Sequence, residues 1–164
     1  MLALRNPVFS PLVFMPFSRI LLCIDGEPHT EAAINLALDV ARTHGAALDA
    51  LYVVDPYLKK FTDEIYAINR DECRAHLDRS LAAEGEAALD QLLARAAVAD
   101  TPVGRLLESG PPEEVIPRMT IAGGYDLVVL GGKRFNGRYD RWTSRDLPGR
   151  LDGKLSVPVL LARV

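Results

Sequence analysis

The chain has 164 residues, 49% of them hydrophobic and 25% charged, with a net charge of −3 and a pI of about 5.6. That length suits one domain with a sizeable core, and the acidic balance argues against a general nucleic-acid binder. No apolar run is long enough to span a membrane. The two cysteines, Cys23 and Cys73, are far apart and stand in no C-x-x-C or metal-ligand spacing, which suits a reducing cytoplasm.

Residues 1–17 are apolar but broken by Arg5, Pro7, Pro11 and Pro16, a poor pattern for a signal peptide. They read as an extension to a domain spanning 18–164, with Met15 as an alternative start. Their apolar residues are expected either to lie outside the domain or to cover a surface or partner subunit.

Arg19 to Ile24 is a compact apolar strand that ends at Asp25-Gly26. Thr30 is placed to cap the next helix, with Glu31 in its first turn. Ala33, Leu36, Ala37, Val40 and Ala41 recur at helical spacing until Gly45. Ala46 to Val54 is a second strand, stopped by Asp55-Pro56. Tyr57 to Asn69 is a connection or short helix. A long helix is predicted over Asp71 to Val98, with Leu77, Leu81, Ala88 and Leu92 on its buried face and Gly85 weakening its middle. Pro102 to Ser109 is a third strand. Gly110-Pro111-Pro112-Glu113-Glu114 opens a helix that Pro117 should kink or shorten and Gly123-Gly124 should end. Asp126 to Leu130 is a fourth strand, and Gly131-Gly132 reads as the turn leaving it. Leu147, Leu151 and Leu155 suggest a short helix, and Val157 to Ala162 a fifth strand.

Strands alternating with helices imply an α/β fold, a doubly wound parallel five-stranded sheet with helices on both faces. In such sheets ligands bind beyond the carboxyl ends of strands where the strand order reverses. With the order 3-2-1-4-5, Asp25-Gly26 and Gly131-Gly132 share one crevice. Asp25 would lie near a ribose or metal, the glycines near phosphates, and Val53 would wall a base. Beyond the glycines, residues 133–150 hold six cations (Lys133, Arg134, Arg138, Arg141, Arg145, Arg150) and two acids (Asp140, Asp146), a local balance of 6 − 2 = +4. This is either an anion site or a solvated loop.

Enzyme signatures are missing: there is no G-x-S-x-G and no P-loop, and His29, His44 and His76 have no metal-ligand spacing. His29 lies near the crevice and could act as an acid or base, but an exposed or capping role is the simpler reading. A phospho-acceptor receiver domain is set aside because Ser109-Gly110, and no aspartate, follows the third strand.

Five stretches, in order, resemble the universal stress protein family. They are Ile20-Leu21-Leu22-Cys23-Ile24-Asp25-Gly26, Leu51-Tyr52-Val53-Val54-Asp55, Gly110-Pro111-Pro112-Glu113-Glu114-Val115-Ile116, Tyr125-Asp126-Leu127-Val128-Val129-Leu130-Gly131 and Val157-Pro158-Val159-Leu160-Leu161. The resemblance implies the strand order 3-2-1-4-5 and an adenine nucleotide alpha hydrolase-like fold. It also implies a homodimer through the fifth strand, with Val157, Val159 and Leu161 at the interface, and a non-enzymatic stress-response role.

Members that bind ATP carry G-x2-G-x9-G-[S/T] after the fourth strand. Here Gly131 matches the first glycine, but Arg134 stands at the second, Ser144 at the third and Arg145 at the hydroxyl. Starting from Gly132 puts Phe135, Arg145 and Asp146 at those places. Side chains there fill the space in which phosphates would rest on backbone amides. The expectation is a degraded ATP motif with no certain cofactor. The alternative is an ATP or AMP site using an altered, arginine-rich loop, with Asp25, Gly26, Val53, Gly131, Gly132, Arg134 and Ser144 as nucleotide-binding candidates. No catalytic residue, metal, nucleic acid or membrane is expected.

Overall fold

The computed structural model describes residues 17–55, 70–132 and 147–163. Five strands form one parallel sheet: β1 (Arg19–Ile24), β2 (Ala47–Val54), β3 (Val103–Ser109), β4 (Leu127–Gly132) and β5 (Val159–Arg163). Their order is β3-β2-β1-β4-β5, as expected. β1 is central because it has the most uniformly apolar pattern: Ile20, Leu21 and Leu22 are fully buried, and both neighbours, β2 and β4, pair with it. Each such side chain contributes about 1.5–3 kcal/mol by leaving water.

Helix α1 (Thr30–His44) joins β1 to β2, α2 (Arg70–Val98) joins β2 to β3, α3 (Pro112–Gly123) joins β3 to β4, and α4 (Leu147–Leu151) precedes β5. The chain winds outward from β1 to β3, then crosses back to β4 and winds out to β5. Right-handed crossovers therefore put α1 and α2 on one face and α3 and α4 on the other. Alternate residues of each strand feed the two cores. Ile20, Leu22 and Ile24 pack with Ala33, Ala37, Leu89 and Leu92. Leu21, Cys23, Leu51, Val128 and Leu130 pack with Ile116 and Leu151.

Several boundaries differ from the sequence reading, each for a local reason. α1 begins with His29 at the N-cap, and no side chain caps it. Thr30 is the first helical residue, is buried, and turns its hydroxyl to Asp25. α3 keeps its expected ends, an extended Pro111 and a left-handed Gly124, with Pro117 inside it. The buried face of α2 includes Leu89 and Ala96, which the reading omitted. β5 starts at Val159, two residues later than expected, because Pro158 has no N–H for the ladder and contributes only its carbonyl, which accepts the Val128 N–H at 3.1 Å.

The largest revision concerns the glycines after β4. Gly131 and Gly132 are not a turn: they extend the strand and pair with Ala162 and Arg163. Their missing side chains serve packing. A Cβ on Gly131 would lie 3.1 Å from the His29 carbonyl oxygen and from Thr30 Cα, and one on Gly132 would lie 2.9 Å from Leu161 Cδ1. The first glycine lets the start of α1 settle on the sheet, and the second admits Leu161 on the opposite face.

The amino ends of the strands are closed by a polar network. Arg19 donates to Asp49 Oδ2 at 3.0 Å and to the Gly123 carbonyl at 2.7 Å, and its guanidinium lies 4.8 Å from the Tyr125 ring centroid. The Tyr125 hydroxyl donates to the same Asp49 oxygen at 2.7 Å. Asp126 accepts the Ser18 hydroxyl at 2.5 Å and the Ser18 and Arg19 N–H groups at 2.8 and 3.0 Å. Among the described residues, no helix is long and apolar enough to cross a membrane.

Candidate functional site

At the carboxyl end of the sheet, between β1 and β4, the strand order reverses. Asp25 follows β1 directly, and Val53 lies near the end of β2, where it packs against the core on the α3 side. Asp25, Val53 and Gly131 line one inner cavity of about 70 Å³, with Cys23, Ile116, Pro112 and Leu147 as its apolar walls. Asp25, Val53, Pro112 and Leu147 also border an outer cavity of about 470 Å³, which adds Glu27, Asp55, Tyr52 and Arg150.

Of the sequence candidates, then, Asp25, Val53 and Gly131 meet. Gly26 faces a separate hollow of about 360 Å³ between α1 and α2, which Asp25 also borders. Gly132 lies against Leu161 and lines neither crevice cavity. Arg134 and Ser144, with the rest of the expected phosphate loop, lie outside the described residues.

The centre of the crevice is the Asp25 carboxylate. Its Oδ1 accepts the Thr30 hydroxyl in a short hydrogen bond and the Glu27 N–H at 3.0 Å. Its Oδ2 lies 3.1 Å from His29 Nε2. The Asp-x4-Thr spacing that allows the first contact was visible in the sequence, but that the acid would gather three donors was not. Arg150 reaches Glu113 on the first turn of α3, which ties α4 to α3 beside the crevice. Sequence reasoning had counted Arg150 only in a charged run and Glu113 only as a helix-start acid.

Two groups are tuned by these surroundings. Burial pushes the Cys23 thiol up to about 12, so it remains a protonated, unreactive wall. Burial, then the negative charges of Glu84, Asp25 and Glu27, raise the Tyr52 phenol above its ordinary value.

This architecture has known counterparts. The family model described as the universal stress protein family matches residues 16–163. The chain belongs to that family. A protein assigned to the universal stress proteins in Staphylococcus haemolyticus is 29% identical over 123 residues, covering 74% of this chain and 70% of its own. The universal stress protein UspA of Lactobacillus plantarum superposes with a TM-score of 0.70 at 23% identity, over 91% of this chain and 99% of that one. A universal stress protein of Arabidopsis thaliana, solved with AMP bound, gives a TM-score of 0.61 at 14% identity, over 89% and 91% of the two chains. At these identities the two structures share the fold with this universal stress protein, and the match over residues 16–163 carries the family.

The residues named for a dimer interface differ in setting, and Val157 lies just before β5. Among the described residues, β5 is a sheet edge that pairs with β4 alone. Val157 and Leu161 are half-buried against the core on the α3 side, whereas Val159 is 43% exposed.

Proposed function

We propose that this universal stress protein is a non-enzymatic, cytoplasmic stress-response protein, dimeric through β5, with a degraded ATP motif and a crevice that accepts the nucleoside end of an adenine nucleotide such as AMP. The observation that carries this reading is the convergence of Asp25, Val53 and Gly131 on one cavity where the strand order reverses, the ligand position of doubly wound sheets. AMP occupies the solved Arabidopsis relative, and cAMP and dAMP occupy two other solved relatives. Asp25 offers an acceptor to a ribose hydroxyl or an amine, and Val53 offers an apolar wall to a base.

Loss of the ATP motif is argued from residues 131–145, where Arg134, Ser144 and Arg145 replace two glycines and a hydroxyl. The packing of Gly131 against His29 adds to that argument, since the glycine has a reason to be present without any phosphate. The non-enzymatic reading is supported by the absence of hydrolase motifs from the sequence and by the unreactive setting of Cys23. The dimer is supported by the exposed Val159 on an edge strand, which is prone to pair with a second copy.

Acid denaturation of purified protein, with chromatography of what is released, and calorimetric titration with AMP and ATP test the reading. AMP should saturate, ATP should bind no more tightly, and ATP should release no phosphate on incubation. Saturation by neither nucleotide rejects the nucleoside crevice. ATP bound at least about tenfold more tightly, a difference of about 1.4 kcal/mol, rejects loss of the motif. A second reading, an arginine-rich loop that holds ATP, is favoured by Arg150 at the outer cavity. It requires Arg134→Ala and Arg150→Ala to weaken ATP more than AMP.

A further inference from the structure

His29 occupies a place that neither capping nor exposure explains. It holds the N-cap position of α1, yet its side chain makes no capping bond. Only 15% of that side chain is exposed. Nε2 points to Asp25 Oδ2, and Nδ1 is buried with no hydrogen-bond partner among the described residues. Against β4, its Cδ2 and carbonyl oxygen fill the space a Cβ on Gly131 would need, at 3.3 and 3.1 Å. The ring is therefore wedged between the strand and the Asp25 carboxylate.

The acceptor sites of Asp25 can be counted. A carboxylate offers about four. Two on Oδ1 are taken by Thr30 and Glu27, and one on Oδ2 by His29. Among the described residues, one site on Oδ2 is left over, on a side chain 54% exposed that lines both crevice cavities. Thr30 and Glu27 hold only Oδ1, so without His29 the carboxylate could swing Oδ2 about that anchor.

We propose that His29 is a positioning residue whose Nε2–H fixes the Asp25 carboxylate so that its last acceptor site faces the crevice and takes one N–H or O–H donor of a bound nucleoside. The proposal rests on the nucleoside reading of the crevice. It follows that Nε2 carries the proton, since it faces an acceptor, and in the neutral ring the lone pair lies on the buried Nδ1. A buried polar atom without a partner is uncommon in folded proteins and calls for a reason. Here the orientation of Asp25 supplies it. Gly131 takes part by leaving room for the ring.

The test compares His29→Leu with His29→Gln, using AMP as the probe. Gln keeps an N–H donor close to where Nε2–H lies, and Leu keeps bulk without a donor. Calorimetry should show AMP weakened about tenfold in His29→Leu, the scale of one lost hydrogen bond, and within about threefold of wild type in His29→Gln. Wild-type affinity in His29→Leu, or equal losses in both variants, overturns the proposal.

The ligand-free protein gives a second readout: long-range ¹H–¹⁵N spectra of its three histidines, with His29 assigned by its absence from His29→Gln. An Nε2–H ring supports the positioning contact, and an Nδ1–H ring overturns it even if AMP binds. Failure of wild-type protein to bind AMP overturns the nucleotide reading and the ligand assigned here. The tautomer separates that outcome from a failure of His29 alone.

Discussion

Gly85→Ala is the perturbation whose expected sign reverses between sequence and structure. Gly85 lies inside the 29-residue helix α2, where replacing glycine by alanine should add about 1 kcal/mol of helix stability. In the fold, however, α2 lies on β2 and β3 so closely that a Cβ on Gly85 would come within 2.7 and 2.9 Å of Tyr52 Cδ1 and Cε1 and 2.8 Å of Leu107 Cδ1. The Leu107 methyl can move by a rotamer change. The Tyr52 ring can yield only as a whole, since those two atoms are part of one flat, rigid group on an interior strand. The helix must shift outward, or the ring must leave the groove. Overpacking of this kind costs about 1–3 kcal/mol, against about 1 kcal/mol of gained propensity. The expected net effect is a loss of about 0–2 kcal/mol. Urea denaturation of wild type and Gly85→Ala measures it, and Tyr52→Ala in both backgrounds isolates the clash. Without the ring, Gly85→Ala should become stabilising, a coupling of about 1–3 kcal/mol. A Gly85→Ala protein more stable than wild type with Tyr52 in place would refute the reasoning.

Other expectations follow from the same geometry. Burial works to raise the Asp126 pKa, but hydrogen bonds from Ser18 and Arg19 outweigh it and hold the carboxyl below its ordinary 3.8. A lowered folded pKa gives stability that is present above pH 3.8 and is lost as pH falls below it. Asp126→Asn should therefore be less stable than wild type in urea at pH 7, with the gap narrowing below pH 4; a gap that widens would contradict this. Burial and the hydrogen bond to Asp49 raise the Tyr125 phenol to about 12, so its contribution holds below pH 10 and is lost toward pH 12. Tyr125→Phe should cost about 1–2 kcal/mol at pH 7, as removal of a donor to a charged acceptor does, and should flatten the alkaline loss of stability; a neutral effect would show that Arg19 alone satisfies Asp49. Val159→Glu should leave the fold intact and yield a monomer by light scattering, and an unchanged dimer mass would reject the β5 interface. Gly131→Ala should lower both stability and AMP affinity by displacing His29, and loss of stability with unchanged affinity would uncouple Gly131 from the crevice.

Much of the fold was legible because its signals are local. The unbroken apolar run Ile20 to Ile24 could only be a strand buried on both faces, and Gly45 and Gly124 close helices where a left-handed residue was expected. The strand order and the meeting of Asp25 with Gly131 followed from the alternation of elements and the family resemblance. What could not be read is contact between residues distant in sequence. Gly131 and Gly132 looked like a turn because glycine ends strands, and only the packing of His29 on one face and Leu161 on the other shows why β4 continues through them. Gly85 looked like a weak point in a helix until Tyr52 was found beneath it. His29 looked like a surface residue because nothing local says that its ring will be wedged between β4 and Asp25. Backbone preference and hydrophobic period are written in neighbouring residues, so sequence alone determined the elements of this protein. Close approach depends on which elements the fold presses together, so only tertiary structure decided what its glycines and His29 are for.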